Sequence, residues 1–437
     1  MKSLFSVLMM FAFLNTYSQY EKLIGHWEGG IEMHNALQVL KVDFFEVGGK
    51  VHGNYTIPIQ NYFNAPLNMD SVNFPSFNIE FEYGIFRVSY NAASDELYGL
   101  SKNSVANGEF IKLHLRKTGT KEYRIFTEEE VSFSNGDIKL AGTLFKPNVK
   151  GKYPVVILLA GSGPNDRKTP EFYSQAFKLA NNGIGAFLFD KRGTGTSSGH
   201  WEQATIFDFA ADGNAAVDYL AKRKDLPFSK IGLMGTSEGG WTAPIIANEN
   251  ENVSFAILNV GPAVSVYQQL MDFNKYWMKD KGVPQPSIDS INQFAAFYFK
   301  SLYDTTLKSH IPTLAYPIEH NKKWWADFLP AYDSAGIAWW TKNNYDPKKN
   351  LTNIKCPVLS ILGTSDEFVP AQENETLMRR YLTQSGKLFK IKVFDNMEHS
   401  SLIDDKWVTD ATGNKYWFWR RTVPGFFETI IEWIKEA

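Results

Sequence analysis

The chain has 437 residues, enough for two or three domains, with 44% hydrophobic and 21% charged residues and a formal net charge of −2. That composition is the ordinary globular one, and without any Lys/Arg run it carries no electrostatic footprint for nucleic acid. The single cysteine, Cys356, excludes an internal disulfide, so packing must supply the stability.

Lys2, the apolar run Leu4 to Leu14 broken only by Ser6, and the small residues Thr16 and Ser18 read as a cleavable export signal over residues 1–18. The run is shorter than the roughly 20 residues a membrane-spanning helix needs, and no later apolar segment reaches that length. The sequence therefore predicts a secreted or periplasmic protein with no membrane span.

Residues 19–121 alternate in short apolar-polar runs, such as Leu37 to Phe45, Phe77 to Phe81, Ile85 to Tyr90 and Phe110 to Leu115. Gly48-Gly49, Asn91 to Asp95 and Asn107-Gly108 separate them. This predicts an all-β meander, closed as a small barrel or sandwich. Leu23 to Gly29 opens it in the manner of barrels that plug one end with a tryptophan, here Trp27. His26, His34, His52 and His114 lack metal-ligand spacing, and no metal or cofactor site is expected anywhere in the chain. A glycan is a second candidate partner for this domain, with Trp27 and Tyr55 as stacking platforms.

Residues 122–437 switch to alternating β and α segments. A hairpin around Asn135-Gly136 leads to the continuous apolar run Pro154 to Leu159, then to strands at Ile184 to Phe189, Ile231 to Met234, Phe255 to Val260, Val358 to Leu362 and Phe389 to Phe394. Helical stretches between them predict a mostly parallel sheet covered on both faces. An aromatic-rich helical insert, residues 263–350, interrupts the series and carries Trp324, Trp325, Trp339 and Trp340. These four are candidate substrate contacts of a cap over the site.

Gly235-Thr236-Ser237-Glu238-Gly239 falls between an apolar strand and a small-residue helix. A sharp strand-to-helix turn lifts a serine Oγ clear of the sheet, and it tolerates only glycine two residues either side. A serine hydroxyl needs a base and an orienting acid. His399 follows the last strand and is the only histidine beyond Asp366, which itself follows the Val358 to Leu362 strand. Ser237, Asp366 and His399 occur in the chain order this architecture requires, all at carboxyl ends of strands. Ala160-Gly161-Ser162-Gly163-Pro164 offers the backbone N–H of Ser162, with that of Glu238, as donors to an oxyanion. Asp190 and Arg192 read as braces for the loops below the site.

With these motifs, residues from about 126 onward resemble an α/β-hydrolase. Ala160 to Arg167 and Asp190 to Gly195 are similar to segments of secreted bacterial serine esterases related to dienelactone hydrolases and prolyl-oligopeptidase-type peptidases, some with an N-terminal β domain. The resemblance implies a nucleophile at Ser237, an acid at Asp366 and a base at His399. Two departures stand out: Ala160 replaces the histidine that often opens the oxyanion motif of lipases, and serine stands where dienelactone hydrolases have cysteine. The expected activity is hydrolysis of small carboxylic esters of short to medium acyl chain through an acyl-enzyme. The alternatives are a prolyl-oligopeptidase-type peptidase, a carbohydrate acyl esterase using the β domain for binding, and a noncatalytic binding protein on the same scaffold. Oligomeric state is left open.

Overall fold

In the computed structural model the described residues are 20–70, 72–103, 108–119, 124–302, 304–320, 330 and 333–437. The export segment, residues 1–18, lies outside them.

Eight antiparallel strands, β1 (Gly25–Met33), β2 (Ala36–Val47), β3 (Lys50–Ile57), β4 (Tyr62–Met69), β5 (Ser76–Phe81), β6 (Gly84–Asn91), β7 (Glu96–Ser101) and β8 (Lys112–Thr118), run up and down in sequence order. β8 pairs back onto β1, with Gly29 opposite Leu115, and closes a barrel. Closure leaves no unpaired edge. Side-chain parity fills it: on β2, Leu40, Val42 and Phe44 point inward while Leu37 and Val39 face out. Trp27 is fully buried and its indole N–H donates to the Leu23 carbonyl at 2.8 Å, so it is a plug. Tyr55 is buried beside Phe81 and Tyr62. Neither ring can offer a face to a glycan, which corrects the expected platforms. His26 is likewise interior, between Asp43 and Glu28.

The second sheet has the order β16-β15-β14-β13-β11-β12-β10-β9. β9 (Phe126–Asn135) and β10 (Ile138–Pro147) form an antiparallel hairpin at one edge, and β10 pairs antiparallel with β12. The remaining pairs, among β11 (Tyr153–Leu159), β12 (Gly185–Phe189), β13 (Phe228–Thr236), β14 (Val253–Asn259), β15 (Val358–Gly363) and β16 (Phe389–Phe394), are parallel. Central strands buried on both faces explain their unbroken apolar sequences.

Helices α1 (Pro170–Asn181), α2 (Ile206–Lys222) and α3 (Gly239–Glu249) are crossovers between these strands. Thr205 caps α2 with a reciprocal bond pair to Asp208, which fixes where that helix begins. The insert supplies α4 (Val266–Asp280), α5 (Gln285–Ser301), α6 (Ile311–His320), α7 (Ser334–Asn343) and α8 (Lys348–Thr352), with a core of its own around Ile291, Tyr298 and Phe299. α9 (Ala371–Ser385) and α10 (Phe426–Glu436) follow. Residues of α2, α3 and α9 cover one face of the sheet, and residues of α1 and α10 cover the other. This is the α/β-hydrolase fold. Among the described residues no helix is long and apolar enough to cross a membrane.

One excursion is absent from the sequence-based expectation, which ends the sheet at Phe394. After His399 the chain makes a short pair, β17 (Leu402–Ile403) with β20 (Arg421–Thr422), enclosing a hairpin of β18 (Lys406–Thr409) and β19 (Lys415–Phe418). The hairpin reaches the barrel: Trp407 and Trp417 pack on His34, and Trp419 enters the barrel core against Tyr83.

Candidate active site

β13 ends at Thr236 and α3 begins at Gly239, which leaves two residues to reverse the chain. Ser237 takes the turn at φ +55°, a left-handed conformation that costs a non-glycine residue energy and marks a functional constraint. A Cβ at Gly235 would stand 2.0 Å from the Gly239 carbonyl oxygen, and one at Gly239 would stand 2.2 Å from that of Leu159. Only glycine fits at either flank.

Asp366 leaves β15 and is buried; its Oδ1 accepts the backbone N–H groups of Phe368 at 2.9 Å and Val369 at 2.8 Å. Those bonds lock the carboxylate toward His399, whose Nδ1 lies 2.9 Å from Oδ2 and 3.0 Å from Oδ1. A carboxylate only accepts, so Nδ1 carries the proton and Nε2 is left as an acceptor. Nε2 lies 2.9 Å from Ser237 Oγ. The structure thus brings Ser237, His399 and Asp366 into one line of hydrogen bonds from positions 162 and 33 residues apart. Such a line can draw the serine proton onto the imidazole while the acid holds the ring. Glu367 takes no part in it and lines the cavity instead.

A Cβ on Gly161 would stand 3.4 Å from the Ser237 Cβ, and Gly161 and Ser162 line the same cavity as Ser237. Beneath them Lys191 is buried, with Nζ donating to the carbonyl oxygens of Gly161 and Gly163 and to Glu238 Oε1. Sequence reasoning passed over Lys191 in favour of its neighbours. Asp190 accepts from the backbone N–H groups of Arg167 and Thr196, and Arg192 pairs with Asp208 and Asp212. The position of Lys191, just past the end of β12, was the available signal.

The cavity over Ser237 has a volume of about 670 Å³. Phe172, Trp241, Phe273 and Phe368 give it apolar walls, while Glu171, Glu398 and Arg420 make a polar side. Burial raises the Glu171 carboxyl to about 7, against the opposing pull of His399 and Arg420. Burial also raises Glu398, helped by nearby Asp404 and opposed by Arg420.

The insert contributes Gln269 and Phe273 of α4 to this cavity. Trp339 and Trp340 do not line it, contrary to expectation. Trp340 packs edge-on to Phe299 in the insert's own core, and Trp339, stacked edge-on against Trp340, is exposed. Trp324 and Trp325 lie outside the described residues.

A profile of the X-Pro dipeptidyl-peptidase (S15) family matches residues 135–390. The chain is 24% identical to Esterase EstD of Thermotoga maritima over 74% of this chain and 73% of that protein. It is 25% identical to the quorum-quenching protein AidA of Acinetobacter baumannii over 33% of this chain and 47% of that protein. Among solved structures it is similar to an esterase of Pyrococcus furiosus, with 18% identity, TM-score 0.44, and coverage of 63% of this chain and 84% of the other. Est1E of Butyrivibrio proteoclasticus with ferulic acid bound is another, with 17% identity, TM-score 0.42, and coverage of 70% and 96%. With an elbow serine on this sheet and a profile spanning more than half its length, the chain is an α/β-hydrolase of the X-Pro dipeptidyl-peptidase (S15) family.

Proposed function

We propose that the protein is an exported serine hydrolase that cleaves small carboxylic esters through an acyl-enzyme. The observation that carries this reading is the hydroxyl of Ser237, held on its strained turn 2.9 Å from His399 Nε2. Ser237 Oγ attacks the ester carbonyl as its proton passes to His399 Nε2, and Asp366 stabilises the imidazolium. The carbonyl oxygen becomes an oxyanion facing the backbone N–H groups of Ser162 and Glu238. Collapse breaks the C–O bond, the departing alcohol takes the proton from His399, and the acyl group stays on Ser237. Water then repeats the sequence and releases the carboxylic acid.

Short to medium acyl chains suit a cavity of about 670 Å³ with Phe273 and Phe368 on its apolar side. The likeness to Esterase EstD supports ester chemistry. Export rests on the character of residues 1–18. A peptidase reading is favoured by a different feature, the acidic side chains Glu367 and Glu398 around the cavity, which would attract the ammonium of a peptide N-terminus. The two are separated by kcat/KM on p-nitrophenyl esters from acetate to laurate beside X-Pro p-nitroanilides. Faster ester turnover, peaking at the shorter chains, is expected; faster anilide cleavage makes the protein a peptidase.

A further inference from the structure

We propose that the N-terminal barrel positions the catalytic histidine, through Glu82 in the β5–β6 turn and Arg420 in the excursion that follows His399. The inference rests on the reading of His399 as general base. Arg420 Nη1 lies 3.0 Å from Glu82 Oε1 on the barrel. Its Nη2 donates to Ser400 Oγ at 3.0 Å and lies 3.6 Å from the Glu398 carboxylate. One guanidinium therefore holds the residues on both sides of His399. Its fixed fork of donors makes this a rigid link rather than a loose charge pair.

The surrounding bonds make the link a joint. Thr422 Oγ1 donates to the Gln60 carbonyl of the barrel at 2.6 Å, and Trp419 packs edge-on to Tyr83 at 5.5 Å between ring centres. On the hydrolase side Leu402 pairs with Thr422, the Val423 N–H donates to the Ser401 carbonyl, and the Glu398 N–H donates to that of Leu402. The C-terminal side of the histidine loop is also tied to the elbow, because Asn259 Nδ2 reaches both Thr236 Oγ1 and Ser401 Oγ. His399 thus hangs between two anchors, and the barrel supplies one of them. Without Glu82, the carboxylates beside Arg420 are Glu398 and Asp404, both on the hydrolase side, and the guanidinium loses its ion pair to the barrel. Glu82 does not line the cavity, so it acts on the chemistry only through Arg420.

The test uses the full chain with Glu82→Ala and Glu82→Gln, and with Glu32→Ala as a barrel control, since Glu32 pairs with exposed Lys112. His399→Ala checks the underlying reading. Steady-state turnover of p-nitrophenyl acetate and the rate of fluorophosphonate labelling are measured together. A displacement of about 1 Å at a catalytic group costs about 10²-fold, so kcat and labelling should both fall about tenfold or more in Glu82→Ala, with KM changed less than about twofold. Glu82→Gln should recover part of the loss, and Glu32→Ala should match the wild type. If Glu82→Ala does not fold, Glu82→Gln decides the matter alone. Unchanged kcat in a folded Glu82 variant, or a loss confined to KM, overturns the proposal. An active His399→Ala overturns the reading beneath it; an inactive His399→Ala beside normal Glu82 variants overturns only the barrel's role.

Discussion

Lys191 Nζ donates to Glu238 Oε1 at 2.7 Å, joining the two chain segments proposed to stabilise the oxyanion. The same ammonium reaches the carbonyls of Gly161 and Gly163, on either side of Ser162. Three donors meet three acceptors, so the buried charge is fully paired. Geometry at Ser162 and Glu238 therefore depends on one side chain that does not line the cavity over Ser237.

Lys191→Met should lower kcat by about 10²-fold, the scale of losing one oxyanion donor, with little change in KM. Its melting temperature should also fall, because Glu238 loses its partner. Steady-state kinetics beside thermal melts check this, and a destabilised variant with unchanged kcat would make Lys191 purely structural.

Asp366→Asn should lower kcat by about 10⁴-fold, as in the analogous protease triad, because the amide no longer selects the His399 tautomer. Glu367→Ala should keep most of the activity. The reverse ranking in the same ester assay contradicts the assignment of the acid.

Phe273→Ala should widen the cavity and raise relative kcat/KM for longer esters. Trp340→Ala should leave the chain-length profile alone and lower stability, since its ring packs on Phe299. Truncating a large buried aromatic costs about 3–5 kcal/mol; Trp340 is only partly buried and should lie at or below the bottom of that range. A chain-length shift in Trp340→Ala without loss of melting temperature would place it in the cleft after all.

The Glu171 carboxyl keeps its proton up to about pH 7 in the folded chain, because burial raises it. The unfolded chain gives that proton up near about pH 4.3. The folded state thus binds more protons in between, and stability attributable to Glu171 is lost as pH rises from about 4.3 to about 7. Glu171→Gln removes the ionisation, so its melting temperature should fall less than that of the wild type over this interval. Parallel melting curves against pH would show instead that Glu171 ionises normally.

Much of this was legible in the sequence because strand ends are legible. Ser237, Asp366 and His399 each follow an apolar run, and the chain order of three such ends carries the geometry with it. The barrel was legible from alternation and its Trp27 plug from the segment that opens it, but alternation does not say that Tyr55 is interior too, and with both rings buried the glycan platforms fail. The insert was read from its aromatic surplus; that could not tell α7, which packs Trp340 inward, from α4, which sends Phe273 to the cavity. The excursion after His399 escaped because its strands are two to four residues long. Its partners lie in the barrel, more than 300 residues earlier, as the bond between Arg420 and Glu82 illustrates.

The central claim is that Ser237 is the nucleophile. Fluorophosphonate labelling of the full chain, with the modified peptide mapped by mass spectrometry, tests it most directly. A single adduct on Ser237, absent from Ser237→Ala and from the His399→Ala chain at the same exposure time, is the predicted result. An adduct on Ser162 or Ser365, or full ester turnover by a folded Ser237→Ala, would contradict it.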